Sequence, residues 1–469
     1  MASRLVSRQL DEKQVAKLKL RWNRMHKFIA NVFDTTSIHG LTYLTKGGSH
    51  AIERFLIAVF IGVGIYGAIS ISMNTVERYN ENPTVISMDR NMFFWNTSFP
   101  SLTICPHKKL DNVKLEHYVQ NNPSKFSTDE LKAEFKRFIT ILSNATYENL
   151  EDIPKNNTFD IDSNDWLDLL YNLSAKFNPE ISSGTSSKLY MVDTITELGF
   201  CHSVNTKIAG YNSYAYRKSN SWHILPYNNT VVVHPLDGEI YALIINFSSS
   251  YELYFHGAME VPDISKQRYT FYESDYTTVE LVALEIITND DVKDLRIRQR
   301  KCRFMNEADV MISNPVYSFN LCRMECRMKM AMKYCGCIPH FYRRTDRNGR
   351  TYPVCGFEGL NCISSMKQEI ISLDSKTKKI DCHCYANCDN SHFFVQAYRS
   401  REWFLGANLQ WGINDYPKMQ LKREMIFTFS DVLVGIGGLA GLFLGFSILS
   451  FVELAFFFVW RVIKEFYLS

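Results

Sequence analysis

The chain has 469 residues, 46% of them hydrophobic and 22% charged, with a formal net charge of +3. That length holds one large domain or two modest ones, and so balanced a charge, with no run of one sign, argues against a nucleic-acid partner. The twelve cysteines all lie between Cys105 and Cys388, and an even number confined to one segment points to an oxidising compartment.

The first 54 residues carry ten Lys or Arg against four Asp or Glu. The first apolar run follows this long basic leader, so no signal peptide is expected. Residues 10–30 read as an amphipathic basic helix, either solvated in the cytosol or lying on the anionic inner leaflet. From Phe55 to Val76 there is no charge for 22 residues, bounded by Glu53 and Arg54 before and by Glu77 and Arg78 after. This predicts a first transmembrane helix over 51–76, with Gly62, Gly64 and Gly67 as a close-packing face. The basic leader places the N-terminal segment 1–50 in the cytosol.

Residues 110–180 are polar with short helical patterns such as Thr128–Leu142. Val231–Phe247 and Tyr269–Ile287 carry β-branched and aromatic residues in strand-like runs, so the region between the spans reads as mixed α/β. Tyr317–Cys337 looks helical. It places Cys322 and Cys326 on one face, about 6 Å apart. Cys382 and Cys384, two apart on an extended segment, share a face at about 6.6 Å. Two rungs of a disulfide ladder match in spacing, although spacing does not fix a pairing. The rival reading makes Cys335, Cys337, Cys382 and Cys384 thiolate metal ligands, which an extracellular position disfavours. A stapled stalk of this kind suits the transmission of force.

The last apolar stretch, Val432–Trp460, has Glu453 as its single acid and five glycines, Gly435, Gly437, Gly438, Gly441 and Gly445, within eleven residues. Each glycine weakens a plain helix by about 1 kcal/mol relative to Ala. Such a concentration suits close helix approach, or a broken helix whose backbone lines a cavity. An intramembrane carboxylate usually faces a partner or a water path. The stretch therefore reads as a pore-forming second span over 428–461, the rival being a glycine-rich anchor with Glu453 snorkelling. A second span returns the chain to the cytosol, where Arg461, Lys464 and a short tail over 462–469 are expected, and it leaves about 350 residues, 77–427, outside. Six glycosylation sequons agree, beginning at Asn96, Asn144, Asn156, Asn172, Asn228 and Asn246, all between the spans. No Ser/His/Asp or paired-carboxylate spacing stands out, so neither an enzyme nor a cofactor is expected.

Several stretches resemble the epithelial sodium channel/degenerin family. Phe99–Pro106 (FPSLTICP) is similar to its FPxxTIC signature, Thr196–Asn205 (TELGFCHSVN) to its T-x-x-G-x-C-x-x-x-N segment, and His256–Pro262 (HGAMEVP) to its palm motif. The helix from Tyr317 and the cluster Cys382, Cys384 and Cys388 resemble its thumb cysteines. His39-Gly40 looks like the family's gating dipeptide, and Gly445-Phe446-Ser447 looks like its G-x-S selectivity filter. In order, these matches span residues 38–455. Gln299-Arg300-Lys301-Cys302-Arg303-Phe304 looks closer to the insect pickpocket branch.

The resemblance implies a membrane protein with two transmembrane helices flanking a disulfide-rich α/β ectodomain of the palm, finger and thumb type, assembled as a trimer. It implies bridges Cys105–Cys201, Cys302–Cys388, Cys322–Cys384, Cys326–Cys382, Cys335–Cys362 and Cys337–Cys355. A bridge that vertebrate acid-sensing relatives carry before Cys201 has no counterpart. Three copies of Gly445-Phe446-Ser447 would ring the pore, where carbonyls and small hydroxyls replace the ion's hydration shell. Gly441 falls at the amiloride-sensitive position. Val434 falls at the degenerin position, usually small, so either the pore closes loosely or partner subunits supply the small residue. Asp431 lies at the outer mouth, as a cation attractor or as a plain helix N-cap. The tail lacks the proline-tyrosine motif that recruits ubiquitin ligases to some relatives. The expectation is a plasma-membrane, multi-pass, sodium-permeable channel subunit, amiloride-sensitive and gated by an extracellular stimulus, serving sensory neurons or epithelia. It would be a homotrimer or a heterotrimer with related subunits, bedded in lipid, with Na+ as the permeant ion. The alternatives are an obligate accessory subunit and a non-conducting two-span receptor; the stimulus is not legible.

Overall fold

A computed structural model describes residues 40–461, apart from 46–49, 155–158, 160, 185–187, 227–229, 248, 374–381 and 405, together with Trp22 and Lys27. Apart from Trp22 and Lys27, the expected amphipathic segment 10–30 lies outside the described residues. So do His39, Lys464 and the tail 462–469, as well as the sequon residues Asn156 and Asn228. The chain divides into two units, residues 1–85 with 425–469, and residues 86–424.

In the first unit, helix α1 runs Ala51–Glu81, 31 residues. At a rise of 1.5 Å per residue it is about 46 Å long, more than the roughly 30 Å hydrocarbon core of a bilayer. Glu53 accepts from the backbone N–H of His50 at 3.1 Å, and the N–H of Asn82 closes the last turn on Arg78. Pro83 then ends the helix, because the residue before a proline is biased away from the helical region.

The second unit is built on two sheets. The larger has seven strands. Its members are β1 (Thr84–Asp89), β3 (Glu180–Ser183), β6 (Ile240–Phe247), β9 (Asp275–Thr288), β10 (Asn390–Glu402), β11 (Ala407–Ile413) and β12 (Gln420–Met425). The spatial order is β1-β12-β9-β11-β6-β3, with β10 pairing antiparallel along β9 across a bulge at Glu280/Leu281. Along β9 the buried Val279, Leu281 and Ala283 alternate with more exposed residues, the period of a strand with one face in a core.

The second sheet has five strands. These are β2 (Ser101–Pro106), β4 (Met191–Thr196), β5 (Gly199–Val204), β7 (Tyr251–His256) and β8 (Tyr269–Phe271), in the order β8-β7-β2-β5-β4. Strand β2 is buried along its whole length. Its alternate polar residues are therefore matched: Thr103 bonds Ser203 at 2.6 Å and His256 at 2.8 Å.

Helices surround an aromatic core. Helix α2, Asp129–Ser143, starts at Thr128, whose hydroxyl accepts from the N–H of Leu131 at 3.2 Å. Its buried face is Phe135, Phe138, Ile139 and Leu142, the spacing of a helix packed on one side. Phe138 meets Trp166 and Phe357 edge-on or tilted, with ring centroids 5.6 and 5.2 Å away. Helix α3, Phe319–Cys335, carries Cys322 and Cys326 on its buried side.

Six bridges pair all twelve cysteines: Cys105–Cys201, Cys302–Cys388, Cys322–Cys384, Cys326–Cys382, Cys335–Cys362 and Cys337–Cys355. They are the pairs that the family resemblance implies, and they leave no thiolate for a metal. Three local expectations change. Tyr269–Ile287 is two strands rather than one, separated by a turn at residues 272–274. Val231–Phe247 is interrupted by a 3-10 turn at Pro235–Asp237 and by Gly238, whose φ is 78°. Cys382 and Cys384 do not share the face of an extended strand, because His383 between them has a φ of 47°. The bridges to α3 fix this segment without a strand ladder.

Candidate functional site

The glycine-rich stretch, expected either to approach another helix closely or to break, is broken. Helix α4 runs Phe429–Leu444 and helix α5 runs Ile448–Ala455, followed by a π-helical turn at Phe456–Arg461. Among the described residues only α1 is long and apolar enough by itself to cross a membrane, α4 being a shorter apolar helix.

The break falls on Gly445-Phe446-Ser447, and the residue types explain it. Gly445 is left-handed, with a φ of 63°, a conformation open to glycine without a Cβ penalty. Its N–H bonds the carbonyl of Gly441 at 2.9 Å, and the next N–H, of Phe446, reaches back to Ala440 at 3.2 Å. The bond from the left-handed Gly445 to Gly441 is that of an αL helix stop. Two residues on, Ser447 caps α5, its hydroxyl accepting from the N–H of Ser450 at 3.2 Å while the Ser450 hydroxyl accepts from the N–H of Ser447 at 3.2 Å. The G-x-S triplet is thus a helix stop followed by a helix start. The carbonyls from Leu442 to Phe446 lie outside the helical ladder.

The glycines divide by what they meet. A Cβ on Gly67 would lie 3.1 Å from the Phe443 ring, and one on Gly64 would lie 3.4 Å from the Phe443 carbonyl, so α1 and α4 approach closely there. Gly62, expected on the same face, meets nothing within 4 Å, and neither do Gly437 and Gly438. A Cβ on Gly435 would touch the Thr75 methyl at 3.6 Å, and one on Gly441 would lie 3.7 Å from the Phe446 carbonyl, an ordinary contact.

Val434 stands 73% exposed on α4, and Glu453 is half-buried on α5. Asp431 is not the N-cap of α4. Thr428 is, and Asp431 sits three residues on, accepting from the Thr428 N–H at 2.8 Å while its own N–H bonds the Thr428 hydroxyl at 3.2 Å. Gly40, with a φ of 92°, precedes the short helix Leu41–Thr45 and faces the side chain of Ile61.

In the second unit the sequence signatures tie strands together. Asn205, left-handed at a φ of 58°, donates to the Phe99 carbonyl at 2.7 Å and accepts from the Val231 N–H at 2.8 Å. Burial pushes the His256 imidazole down to about 4, so it is neutral as it bridges Thr103 and the Gly257 carbonyl, the latter at 2.9 Å. Of the sequon residues, Asn96 and Asn172 are exposed and Asn144 is half-buried, while Asn246 stands on β6.

Sequence reasoning missed the charges buried inside these signatures. Glu197, in the T-x-x-G segment, receives Arg327 of α3 at 2.8 Å, and Arg327 also bonds Asp263 at 2.5 Å. Burial raises the Glu197 carboxyl, opposed by Arg327. For Asp263 burial likewise acts upward, but Arg327 and Arg323 outweigh it and hold the carboxyl below its ordinary value. Glu260, in the palm-type motif, is buried and accepts from the Ser318 hydroxyl at 2.7 Å, the Asn320 N–H at 3.2 Å and the Asn387 amide at 2.7 Å. Burial pushes it up to about 7. The only local hint was a carboxylate set inside an apolar motif.

The family profile described as amiloride-sensitive sodium channel matches residues 32–457. The chain is 24% identical over 479 aligned residues to the sodium channel protein Nach of Drosophila ananassae, covering 94% of this chain and 87% of the relative. It is 23% identical over 474 residues to the Nach protein of Drosophila melanogaster, with 90% and 85% covered. Pickpocket protein 28 of Drosophila melanogaster is 24% identical over 258 residues, covering 49% of this chain and 40% of that protein.

Proposed function

The chain belongs to the amiloride-sensitive sodium channel family, and from that premise we propose that it is a pore-forming subunit of a trimeric, sodium-permeable channel of the plasma membrane, gated by an extracellular stimulus. It is a channel protein and not an enzyme. In this reading α1 and the segment 428–461 are the two spans, residues 1–50 and 462–469 are cytosolic, and residues 77–427 face outward. The observation that carries it is the break at Gly445-Phe446-Ser447 between two apolar helical pieces. Carbonyls outside a helical ladder are tolerated at membrane depth only where protein or a water-filled cavity satisfies them. Three such breaks around one axis make a ring of carbonyls and Ser447 hydroxyls, the chemistry of a cation filter. The open Gly437 and Gly438 faces leave room for helices of neighbouring subunits. Gly441 is then the amiloride position, Val434 the gate position, Glu453 an acid on the ion path, and His39-Gly40 the gating dipeptide.

The test is whole-cell current from oocytes expressing this chain alone in external sodium. The expected result is an inward current that amiloride blocks and whose sodium preference falls in Gly445 or Ser447 variants. The exposed Val434 supports a second reading, an accessory subunit whose bulky gate residue is complemented by partners. Its mark is glycosylated surface protein that conducts only on co-expression with a related subunit. A lysine at position 447 that leaves every response untouched would instead indicate a non-conducting receptor.

A further inference from the structure

A cavity of about 870 Å³ opens in the second unit between the segment 106–114, the segment 171–178 and the strands β4 and β5. That volume is in the range of ligand sites. Among its lining residues is Asn172, the acceptor of the sequon Asn172-Leu173-Ser174. Asn172 is exposed, at the last position of the short helix Trp166–Asn172. The wall beside it is aromatic. Asp168 stands one turn earlier on the same face of that helix and accepts from the Tyr214 hydroxyl at 2.9 Å, so the Tyr214 ring is held close to the acceptor. Tyr171 stacks on Tyr214 with ring centroids 3.6 Å apart and stands 6.0 Å from Phe200. All three rings line the cavity, and Tyr171 is 39% exposed.

A sugar ring presents an apolar C–H face that an aromatic side chain can cover, and a rim of hydroxyls that needs donors and acceptors. Asn112 and Asn178, both exposed on the cavity, supply the latter. The charges in the wall favour a neutral ligand over an anion. Lys109 and Lys114 already donate to the carbonyls of Ser143 and Ser174, at 3.2 and 2.7 Å. Lys108 and Lys176 are exposed, where water screens them, and Asp111 and Asp193 stand in the same wall. From this arrangement we infer that the cavity seats the chain's own Asn172-linked glycan, its first sugars against Tyr171, Tyr214 and Phe200. Attachment joins Asn172 Nδ2 to C1 of the first N-acetylglucosamine and breaks the C1–O bond to a lipid diphosphate donor, which leaves with the electron pair while the amide loses one proton. The inference rests on the outward placement of residues 77–427 in the channel reading, since the sequon is read on that side of the membrane.

The experiment is timed digestion of the native, detergent-solubilised full-length protein from mammalian cells with peptide-N-glycosidase in heavy-oxygen water, each released acceptor being read as labelled aspartate by peptide mass spectrometry. Asn96, also exposed, is the reference. Release at Asn172 is expected to be about tenfold slower than at Asn96, which corresponds to about 1.4 kcal/mol of docking. After denaturation the two rates should agree. Tyr214→Ala is expected to bring native release at Asn172 up to that at Asn96, and the comparison in the unaltered protein keeps the test decisive if that variant does not fold. Equal native rates, a glycan on Asn96 with none on Asn172, a slow Asn172 that stays slow after denaturation, or one that stays slow in folded Tyr214→Ala would each overturn the assignment and leave the outward placement standing. No glycan on any sequon would overturn the outward placement, and this inference with it.

Discussion

Glu197 and Arg327, 130 positions apart in the chain, meet at 2.8 Å where the side chains are 2% and 0% exposed. One comes from the turn before β5 and the other from the middle of α3. Asp263 takes the other arm of the guanidinium, and Tyr342 donates to the second Glu197 oxygen at 2.6 Å. The cluster joins the five-stranded sheet to the disulfide-bearing helix. Buried charges of this kind are retained only when each is matched.

Arg327→Met is therefore expected to cost about 3–5 kcal/mol, since it leaves two buried carboxylates facing each other. Most of the protein should then be held back with immature glycans, as judged by surface biotinylation. Normal surface levels would show that water replaces the guanidinium.

The pH dependence of stability has a defined shape. Glu260 sits at about 7 in the folded protein against an ordinary 4.5. Its stabilising contribution is thus fully present below 4.5 and is lost as pH rises through 7, about 3 kcal/mol in all at about 1.4 kcal/mol per pH unit. His256 and His340 are held by burial at about 4 against 6.5. Theirs is lost in the opposite direction, as pH falls from 6.5 towards 4. Two imidazoles outweigh one carboxyl below 6.5, so the unfolding midpoint followed by tryptophan fluorescence should peak near pH 6.5. Glu260→Gln should remove the fall above pH 6.5 and steepen the acid limb between pH 4.5 and 6.5, where Glu260 had opposed the two imidazoles.

Gly445→Ala tests the helix stop. An alanine at a φ of 63° costs about 1 kcal/mol or more, enough to shift the break along the chain. Reversal potentials in mixed sodium and potassium should show reduced sodium preference at near-normal surface expression. Ser447→Ala removes the α5 cap, costs about 1 kcal/mol, and should act in the same direction.

Gly67→Leu places a side chain where the Phe443 ring already lies 3.1 Å from a bare Cβ. Overpacking of this kind costs about 1–3 kcal/mol. Surface expression is expected to fall, and Phe443→Ala in the same chain should restore it. Gly62→Leu, which meets nothing within 4 Å, should be tolerated within the subunit.

The amino-acid sequence by itself determined the first long apolar helix, the confinement of cysteines and sequons to one segment, the helix carrying Cys322 and Cys326, and the glycine-rich apolar stretch before Trp460. These are local signals: an uncharged run long enough for a bilayer, a helical period, a residue type with one chemistry in one compartment. It also contained the helix break, since glycine stops and serine caps are local, although a hydropathy reading merges α4 and α5 into one span. Only the tertiary structure decided which glycines touch Phe443, that Thr428 rather than Asp431 caps α4, and that His383 turns the chain between two bridged cysteines. It alone brought Glu197, Asp263 and Arg327 together and buried Glu260 among neutral hydrogen-bond donors. Charge pairing inside a protein depends on which distant segments exclude water from the same place, and no local period in the sequence encodes that.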